Sequence, residues 1–123
     1  YVDCKDLETF FKTELGRCIQ NSENVLREFK FSIMDDAQKY YQNVTNERIL
    51  IQGVVDCALI EEDGITVVDF KTDNVTPETF TDTALKYDSQ VRIYASALER
   101  IFQKNIKSAK LYFFNIGEFY DII

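Results

Sequence analysis

The spacing of apolar residues predicts helices at both ends of the chain's central region. Residues 6–20 carry apolar side chains three or four positions apart, which is typical of an amphipathic helix. Gly16 weakens this segment, so two short helices with Thr13 as a cap are an alternative. Residues 76–77, a Thr-Pro pair, predict a helix start, and a longer helix follows a break near residues 87–88. Its apolar stripe consists of Val91, Tyr94, Ala95, Leu98, Ile101 and Phe102.

Other apolar runs predict the strands of a sheet. Residues 25–33 alternate between apolar and polar side chains, as in a half-buried strand. Residues 49–60 are almost continuously apolar, as in a strand covered on both faces. Asp63-Gly64 is a strong hairpin signal, and residues 65–72 would form the return strand.

The remaining segments complete the pattern of an α/β fold. Residues 34–48 are polar and are predicted to be a connection with a helical turn around residues 37–41. Residues 110–116 predict another strand, and residues 118–123 an edge strand. The order helix, three strands, helix, strand indicates a mixed β-sheet flanked by helices.

Composition and charge exclude several classes of protein. The 123 residues suffice for one domain, and an apolar fraction of 46% argues against intrinsic disorder. With 21 acidic and 14 basic residues, the domain is not one that binds nucleic acid mainly through its own basic surface. No run approaches the ~20 apolar residues of a membrane span, so we expect a soluble protein. The sequence contains no histidine, which excludes histidine bases and ligands within it.

The start of the chain and the cysteines suggest a cellular setting. The chain begins at Tyr1 without a methionine or a signal peptide, and we interpret it as a fragment of a longer protein. Cys4, Cys18 and Cys57 are odd in number and widely spaced. Such thiols fit a reducing, intracellular compartment better than a disulfide framework or a zinc site.

Two carboxylates interrupt the predicted hairpin where apolar residues are expected. Asp56 lies within an apolar strand, where a charge is costly unless it is paired. Asp69 and Lys71 are two positions apart on the return strand, so both side chains leave the same face.

The length of the turn decides which of these residues face each other. With a two-residue loop at Asp63-Gly64, Asp56 lies opposite Lys71. With a four-residue loop, Asp56 lies opposite Asp69. Either even loop places all three side chains on one face within ~5–8 Å, whereas a three-residue loop or a bulge would separate them.

Two carboxylates on one face of a hairpin form a hard-oxygen site suited to Mg²⁺ or Mn²⁺. A neighbouring lysine can orient an attacking water and stabilise charge on a phosphate. A salt-bridge cluster in a domain without an active site explains the same residues, and the pattern alone leaves both interpretations open.

Three short motifs together resemble those of a known nuclease superfamily. The motifs are Gly53-Val54-Val55-Asp56, Asp69-Phe70-Lys71-Thr72-Asp73 and Gln90-x-x-x-Tyr94. In this order and spacing, the chain resembles the PD-(D/E)XK nucleases, and more narrowly the C-terminal nuclease domain of bacterial helicase–nucleases of the AddA/RecB type. The match covers about residues 49–103. The expected organisation is one nuclease domain over residues 1–123, a fragment of a larger helicase–nuclease subunit.

The resemblance implies a metal-dependent DNase with a restriction-endonuclease-like core. Asp56, Asp69 and the backbone carbonyl of Phe70 would be ligands of Mg²⁺ or Mn²⁺. Lys71 would be the catalytic lysine.

The resemblance also implies roles for residues around these ligands. Gln90 and Tyr94, one helical turn apart, would sit beside the site and support it or touch DNA. A core aromatic and a solvated helix residue are the alternatives for Tyr94 and Gln90. We interpret Asp73 as a turn residue rather than a ligand, and Glu28 as a surface residue.

The partners follow from the same resemblance. The substrate would be single-stranded DNA unwound by helicase domains of the same chain, with ATP used only there. A second subunit would complete the complex, which would act in double-strand break repair and recombination in the bacterial cytoplasm. Nucleases of this type also carry a histidine ligand on a preceding helix, which this chain lacks. The ligand is either outside the fragment or lost, and a silent module that binds DNA or a partner subunit is the alternative function.

Overall fold

The computed structural model describes residues 3–123. Tyr1, on which the prediction of a missing start methionine rests, and Val2 lie outside the described residues. The elements, in chain order, are α1 Cys4–Phe11, α2 Glu14–Asn21, β1 Val25–Asp36, a 3₁₀ turn at Ala37–Lys39, β2 Arg48–Glu61, β3 Gly64–Lys71, α3 Phe80–Leu85, α4 Asp88–Phe102, β4 Ile106–Phe113 and β5 Glu118–Asp121.

The strands form one five-stranded sheet in the order β1-β2-β3-β4-β5. β3 and β4 are parallel, and the other neighbouring pairs are antiparallel. The parallel pair needs a crossover connection, which α3 and α4 supply. The predicted α/β fold with a mixed sheet and flanking helices is therefore confirmed.

Two apolar clusters cover the two faces of the sheet. Leu98 of α4 packs in one cluster with Val67 of β3. Phe10 of α1 packs in the other with Val68 of β3 and Tyr112 of β4. Because neighbouring residues of a strand point to opposite faces, α4 covers one face and α1 and α2 cover the other. The central strands are thus enclosed by helices on both sides.

The N-terminal segment forms two helices, which is the alternative that Gly16 suggests. Thr13 caps α2, and its Oγ1 accepts the backbone N–H of Gly16 at 2.9 Å. Such a cap satisfies an amide that has no partner within the helix.

The predicted helix start at Thr76 and Pro77 is wrong by three residues, since α3 begins at Phe80. The N–H of Thr76 donates to Oγ1 of Thr79 at 2.9 Å, and the N–H of Phe80 donates to the carbonyl of Thr76 at 2.9 Å. Threonine side chains that bond to nearby backbone stabilise a turn in place of the first helical turn.

Two expectations about the first strands also need correction. β1 continues to Asp36 instead of ending near residue 33, and the predicted helical turn follows it. The first half of β2 is covered on one face only, because Leu50 is 54% exposed and Val54 is 42% exposed. The continuous apolar run therefore indicates two-sided burial only in the second half of the strand.

Candidate active site

The β2–β3 hairpin sets the register of the site. Ile60 pairs with Ile65 and Glu61 pairs with Gly64, so the turn consists of two residues. Gly64 has a φ of +152°, and a Cβ there would lie 2.8 Å from the carbonyl oxygen of Asn105. Only glycine fits this position without strain.

This register places Asp56 opposite Asp69. The ladder between the strands ends one pair earlier, at Cys57 and Val68. Oδ2 of Asp56 accepts the backbone N–H of Phe70 at 2.9 Å. The carboxylate thus replaces a ladder hydrogen bond, and this contact fixes its orientation.

A local irregularity surrounds Asp56 on its other side. Its cross-strand neighbour on β1 is Glu28, which has a φ of +50° and is left out of the ladder. Val55 and Ala58 lie in the same cluster under α4, although they are three positions apart in a strand. The alternation of side chains therefore reverses at Asp56. This irregularity does not separate the acids, because it falls on Asp56 itself.

Asp69 is the more buried carboxylate, with 10% of its side chain exposed. Nζ of Lys71 lies 2.8 Å from Oδ2 of Asp69 and forms an ion pair with it. Within the described part of the chain, that oxygen is buried and accepts no well-aligned hydrogen bond. It therefore retains capacity to bind a further positive charge.

The pKa of Asp69 is raised to about 6. Burial is the largest cause, and a close side-chain contact with Asp56 adds to it, while Lys71 opposes both. Two carboxyls in such contact favour keeping one proton between them. The structure thus brings Asp56, Asp69 and Lys71 together.

Tyr87 and Asp73 complete the surroundings of the lysine. Nζ of Lys71 lies 3.8 Å from the centre of the Tyr87 ring. The Tyr87 hydroxyl donates to the two oxygens of Asp73, at distances of 3.1 and 2.9 Å. The sequence predicts a turn residue at Asp73, and its carboxylate is in fact an anchor for this tyrosine. Tyr87 is missing from the site residues predicted from the sequence, although it precedes Gln90 by three positions and therefore lies on the same side of the helix start.

Gln90 and Tyr94 contact each other on α4 but lie outside the carboxylate cluster. Nε2 of Gln90 donates to the Tyr94 hydroxyl at 3.2 Å. The Tyr94 ring packs edge-on against Phe31, with centroids 5.4 Å apart. A Cβ at Gly53 would lie 2.5 Å from Cε1 of Tyr94, so the glycine of the first motif makes room for the tyrosine of the third. Among residues 3–123, neither side chain has a hydrogen bond to Asp56, Asp69 or Lys71.

A cavity of about 590 Å³ opens beside Asp56 on the α1 and α2 side. Glu28, which is exposed as expected, lines it together with Arg27. Its apolar wall includes Phe10, Phe11, Phe70 and Phe114. The aspartate is thus reachable from solvent through a partly aromatic opening.

The donor set for a cation consists of two carboxylates. Over the described residues, no group of three or more histidine, cysteine or acidic side chains is placed to hold a metal. Cys57 is buried, whereas Cys4 and Cys18 are exposed, and all three are free thiols. In the same part of the chain, no helix has the length and apolar character to cross a membrane.

The sequence is similar to a known superfamily and to several named proteins. Residues 5–120 match the PD-(D/E)XK nuclease superfamily. The chain is also 39% identical over 118 residues to an ATP-dependent helicase/nuclease protein, the first of its two subunits by letter, from Clostridium botulinum (strain Okra / Type B1). The aligned region covers 92% of this chain and 9% of that protein.

Proteins with the same name in other bacteria are similarly related. The identity is 37% over 120 residues for Thermoanaerobacter sp. (strain X514), covering 94% of this chain and 10% of the relative. It is 39% over 122 residues for Moorella thermoacetica, covering 94% and 8%. The chain thus spans about a tenth of the length of the curated relatives it matches. Because the superfamily match extends over nearly the whole chain, the protein belongs to the PD-(D/E)XK nuclease superfamily.

Proposed function

We propose that this chain is the nuclease domain of a larger helicase–nuclease, and that it hydrolyses phosphodiester bonds in DNA with the help of a divalent cation. The observation that carries the proposal is the convergence of Asp56, Asp69 and Lys71 at the end of the β2–β3 ladder. Two acids in contact and a lysine paired to one of them form a compact site for phosphate chemistry.

The chemistry of the donor set fits Mg²⁺ or Mn²⁺. Hard cations prefer carboxylate and carbonyl oxygens, and Mg²⁺ is commonly held by one or two carboxylates together with waters and substrate phosphates. Asp56, Asp69 and the carbonyl of Phe70 would hold the ion. The raised pKa of Asp69 supports this assignment, since a cation would relieve the repulsion between the two acids.

A divalent cation bound there would activate water and offset negative charge on the scissile phosphate. Lys71 would hold the attacking water or a phosphate oxygen in position, because its ammonium lies on the same face as the acids. Asp56 is held rigid by the Phe70 amide. Rigid placement of this kind lowers the entropic cost of reaching the transition state.

Gln90 and Tyr94 are proposed to support the site from α4 or to touch the DNA strand that enters it. Their mutual hydrogen bond and the packing of Tyr94 over Gly53 give them a fixed position next to β2. The net charge of −7 favours a path for DNA that is built mainly by other parts of a larger protein.

The names of the relatives support the wider setting. We propose that helicase domains of the same protein use ATP to unwind DNA and supply single strands to this domain. The same proposal includes a second subunit. It also includes a role in double-strand break repair and recombination, and a location in the bacterial cytoplasm.

A catalytically silent module that binds DNA or a partner subunit is the second candidate. It is favoured by the absence of histidine from the sequence and by the two-carboxylate donor set among the described residues. The intact Asp56, Asp69 and Lys71 favour the nuclease instead, because a silent module has no need for three buried or half-buried charges.

Cleavage of single-stranded DNA by the intact protein that carries this chain distinguishes the two. We expect cleavage with Mg²⁺, none with a chelator, and a loss of roughly 10²-fold or more in Asp69→Asn. Asp82→Asn, which changes an exposed carboxylate on α3, is the matched control and should cleave normally. DNA binding without cleavage in the unmodified protein would support the silent module.

A further inference from the structure

The ammonium group of Lys71 is held from two sides. Oδ2 of Asp69 lies 2.8 Å from Nζ, and the ring of Tyr87 covers it at 3.8 Å from the ring centre. A cation over the face of an aromatic ring is attracted by the negative potential of that face. With 15% of its side chain exposed, the lysine is largely shielded from water.

Tyr87 is itself fixed at both ends. Its backbone lies at the junction of α3 and α4, where its N–H donates to the carbonyl of Ala84 and its carbonyl accepts the N–H of Val91, each at 3.0 Å. Its hydroxyl donates to both carboxylate oxygens of Asp73. The hydrogen bond to Asp73, the largest cause, and partial burial raise the pKa of Tyr87, so the hydroxyl stays protonated and keeps donating.

The loop that carries Asp73 is also tied to the sheet. Val75, two residues further along, is 4% exposed, and its N–H donates to Oδ1 of Asn115 at 2.9 Å. The chain from Lys71 through Asp73 to Tyr87 therefore forms a closed set of contacts that starts and ends at the lysine. A closed set of this kind restricts the ring to one position over the ammonium.

A lysine side chain has a flexible stem, and its ammonium group has no preferred orientation of its own. The ion pair with Asp69 fixes one side of Nζ and leaves the stem free to rotate around that contact. The Tyr87 ring removes this freedom, because it occupies the space into which the ammonium would otherwise move.

From these contacts we infer that Tyr87, anchored by Asp73, is the positioning residue that fixes the Lys71 ammonium beside the paired carboxylates. The inference rests on the proposed nuclease function. Tyr87 acts through the lysine and does not touch the substrate. Its ring face is the active feature, and its hydroxyl serves only to orient the ring.

The placement itself is tested by NMR on this 123-residue chain, without any cleavage assay. The ε-methylene protons of Lys71, assigned by their disappearance in Lys71→Arg, should be shifted upfield by the ring current of Tyr87. The shift should persist in Tyr87→Phe and vanish in Tyr87→Leu. Lys71 protons at the position of exposed lysines in the unmodified chain, or unchanged in Tyr87→Leu, would overturn the inference.

The consequence for the reaction is tested on the intact protein. Tyr87→Leu should lower kcat for single-stranded DNA by roughly 10- to 100-fold, because a small misplacement of a reacting group is costly. KM should not change, since the ring does not contact DNA. Tyr87→Phe should restore most of the rate, and Asp73→Asn should fall between the two variants.

Tyr120→Leu is the matched control, because Tyr120 is a half-buried tyrosine that packs against Phe80 with centroids 5.7 Å apart. An equal loss of kcat in Tyr120→Leu and Tyr87→Leu would make Tyr87 a packing residue and overturn the inference. A raised KM with unchanged kcat in Tyr87→Leu would do the same. An unmodified protein that cleaves no DNA would end the proposed function, while the NMR result would still decide the position of the ring.

Discussion

At the scale of single residues, Asp69 occupies a position that disfavours its charge. Its pKa is raised to about 6 from an ordinary value of 3.8, first by burial and then by Asp56. The folded protein therefore holds this proton more tightly than the unfolded chain. Between about pH 4 and pH 6 the unfolded chain releases its proton first, so stability falls as the pH rises through that window.

Asp69→Asn should remove this dependence, because an amide resembles the protonated acid. Without metal, the variant should match the unmodified chain near pH 4 and exceed its free energy of unfolding by up to about 3 kcal/mol above pH 6. Urea unfolding of both proteins across this pH range measures the difference. Asp82→Asn should show no such trend, and a difference that is independent of pH would contradict the assigned pKa.

The same two acids should bind a divalent cation weakly in the chain alone. They supply two carboxylates and a carbonyl, and the chain has no histidine to complete the set. Titration calorimetry with Mn²⁺ should give low affinity, and Asp56→Ala combined with Asp69→Ala should abolish the binding. Tight binding, or binding that survives both changes, would place the cation elsewhere.

Asp56, Asp69 and Lys71 could be located from the sequence, because a charge in an apolar strand is conspicuous. Tyr87 could not, since a tyrosine near a helix break has no distinctive pattern. The contact of its ring with Lys71 depends on how the α3–α4 junction folds back over β3, which is a tertiary property.

At the scale of elements, the hairpin explains why the acids converge. The parity of the turn was predictable from its residues, but the choice between the two even registers was not. The irregularity at Glu28 and Asp56 was also not predictable, because Glu28 adopts a φ of +50° that only the neighbouring strands impose. Non-glycine residues in this region are uncommon and strained, and they occur often at functional sites.

Gly53→Ala should disturb the packing between β2 and α4. The new methyl group would meet Cε1 of Tyr94 at 2.5 Å and Cε1 of Phe31 at 3.0 Å, so the tyrosine ring must move. We expect a loss of roughly 1–3 kcal/mol in stability, typical of an overpacked core. Thermal unfolding measures it, with the exposed neighbour Gln52→Ala as the control. Equal stability of both variants would show that Tyr94 is not held against Gly53.

At the scale of the whole molecule, the fold places the site where one strand ladder ends and helices cover the sheet on both sides. The α/β class and the order of elements were predictable from apolar periodicity. The boundaries of α3 and the one-sided cover of β2 were not, because side-chain bonds of Thr76 and tertiary packing decide them. The acidic surface leaves the binding of DNA to other parts of a larger protein.

The proposed function requires Lys71 and the paired acids to carry out the cleavage of DNA, and replacing the lysine is the decisive experiment. DNA cleavage and ATP hydrolysis are followed side by side in the intact Lys71→Ala protein, with Lys107→Ala as the control. Lys107 forms ion pairs with Glu61 and Asp63 at the turn of the same hairpin, so the control removes an equal charge and comparable contacts.

We predict that Lys71→Ala loses roughly 10²- to 10⁴-fold in cleavage rate, as expected for a group that acts on the reacting atoms. Its ATP hydrolysis should be unchanged, and Lys107→Ala should keep both activities. Cleavage by Lys71→Ala near the unmodified rate would remove Lys71 from the mechanism. Loss of both activities together would show that the lysine serves the fold, and the cluster would then be a structural salt bridge.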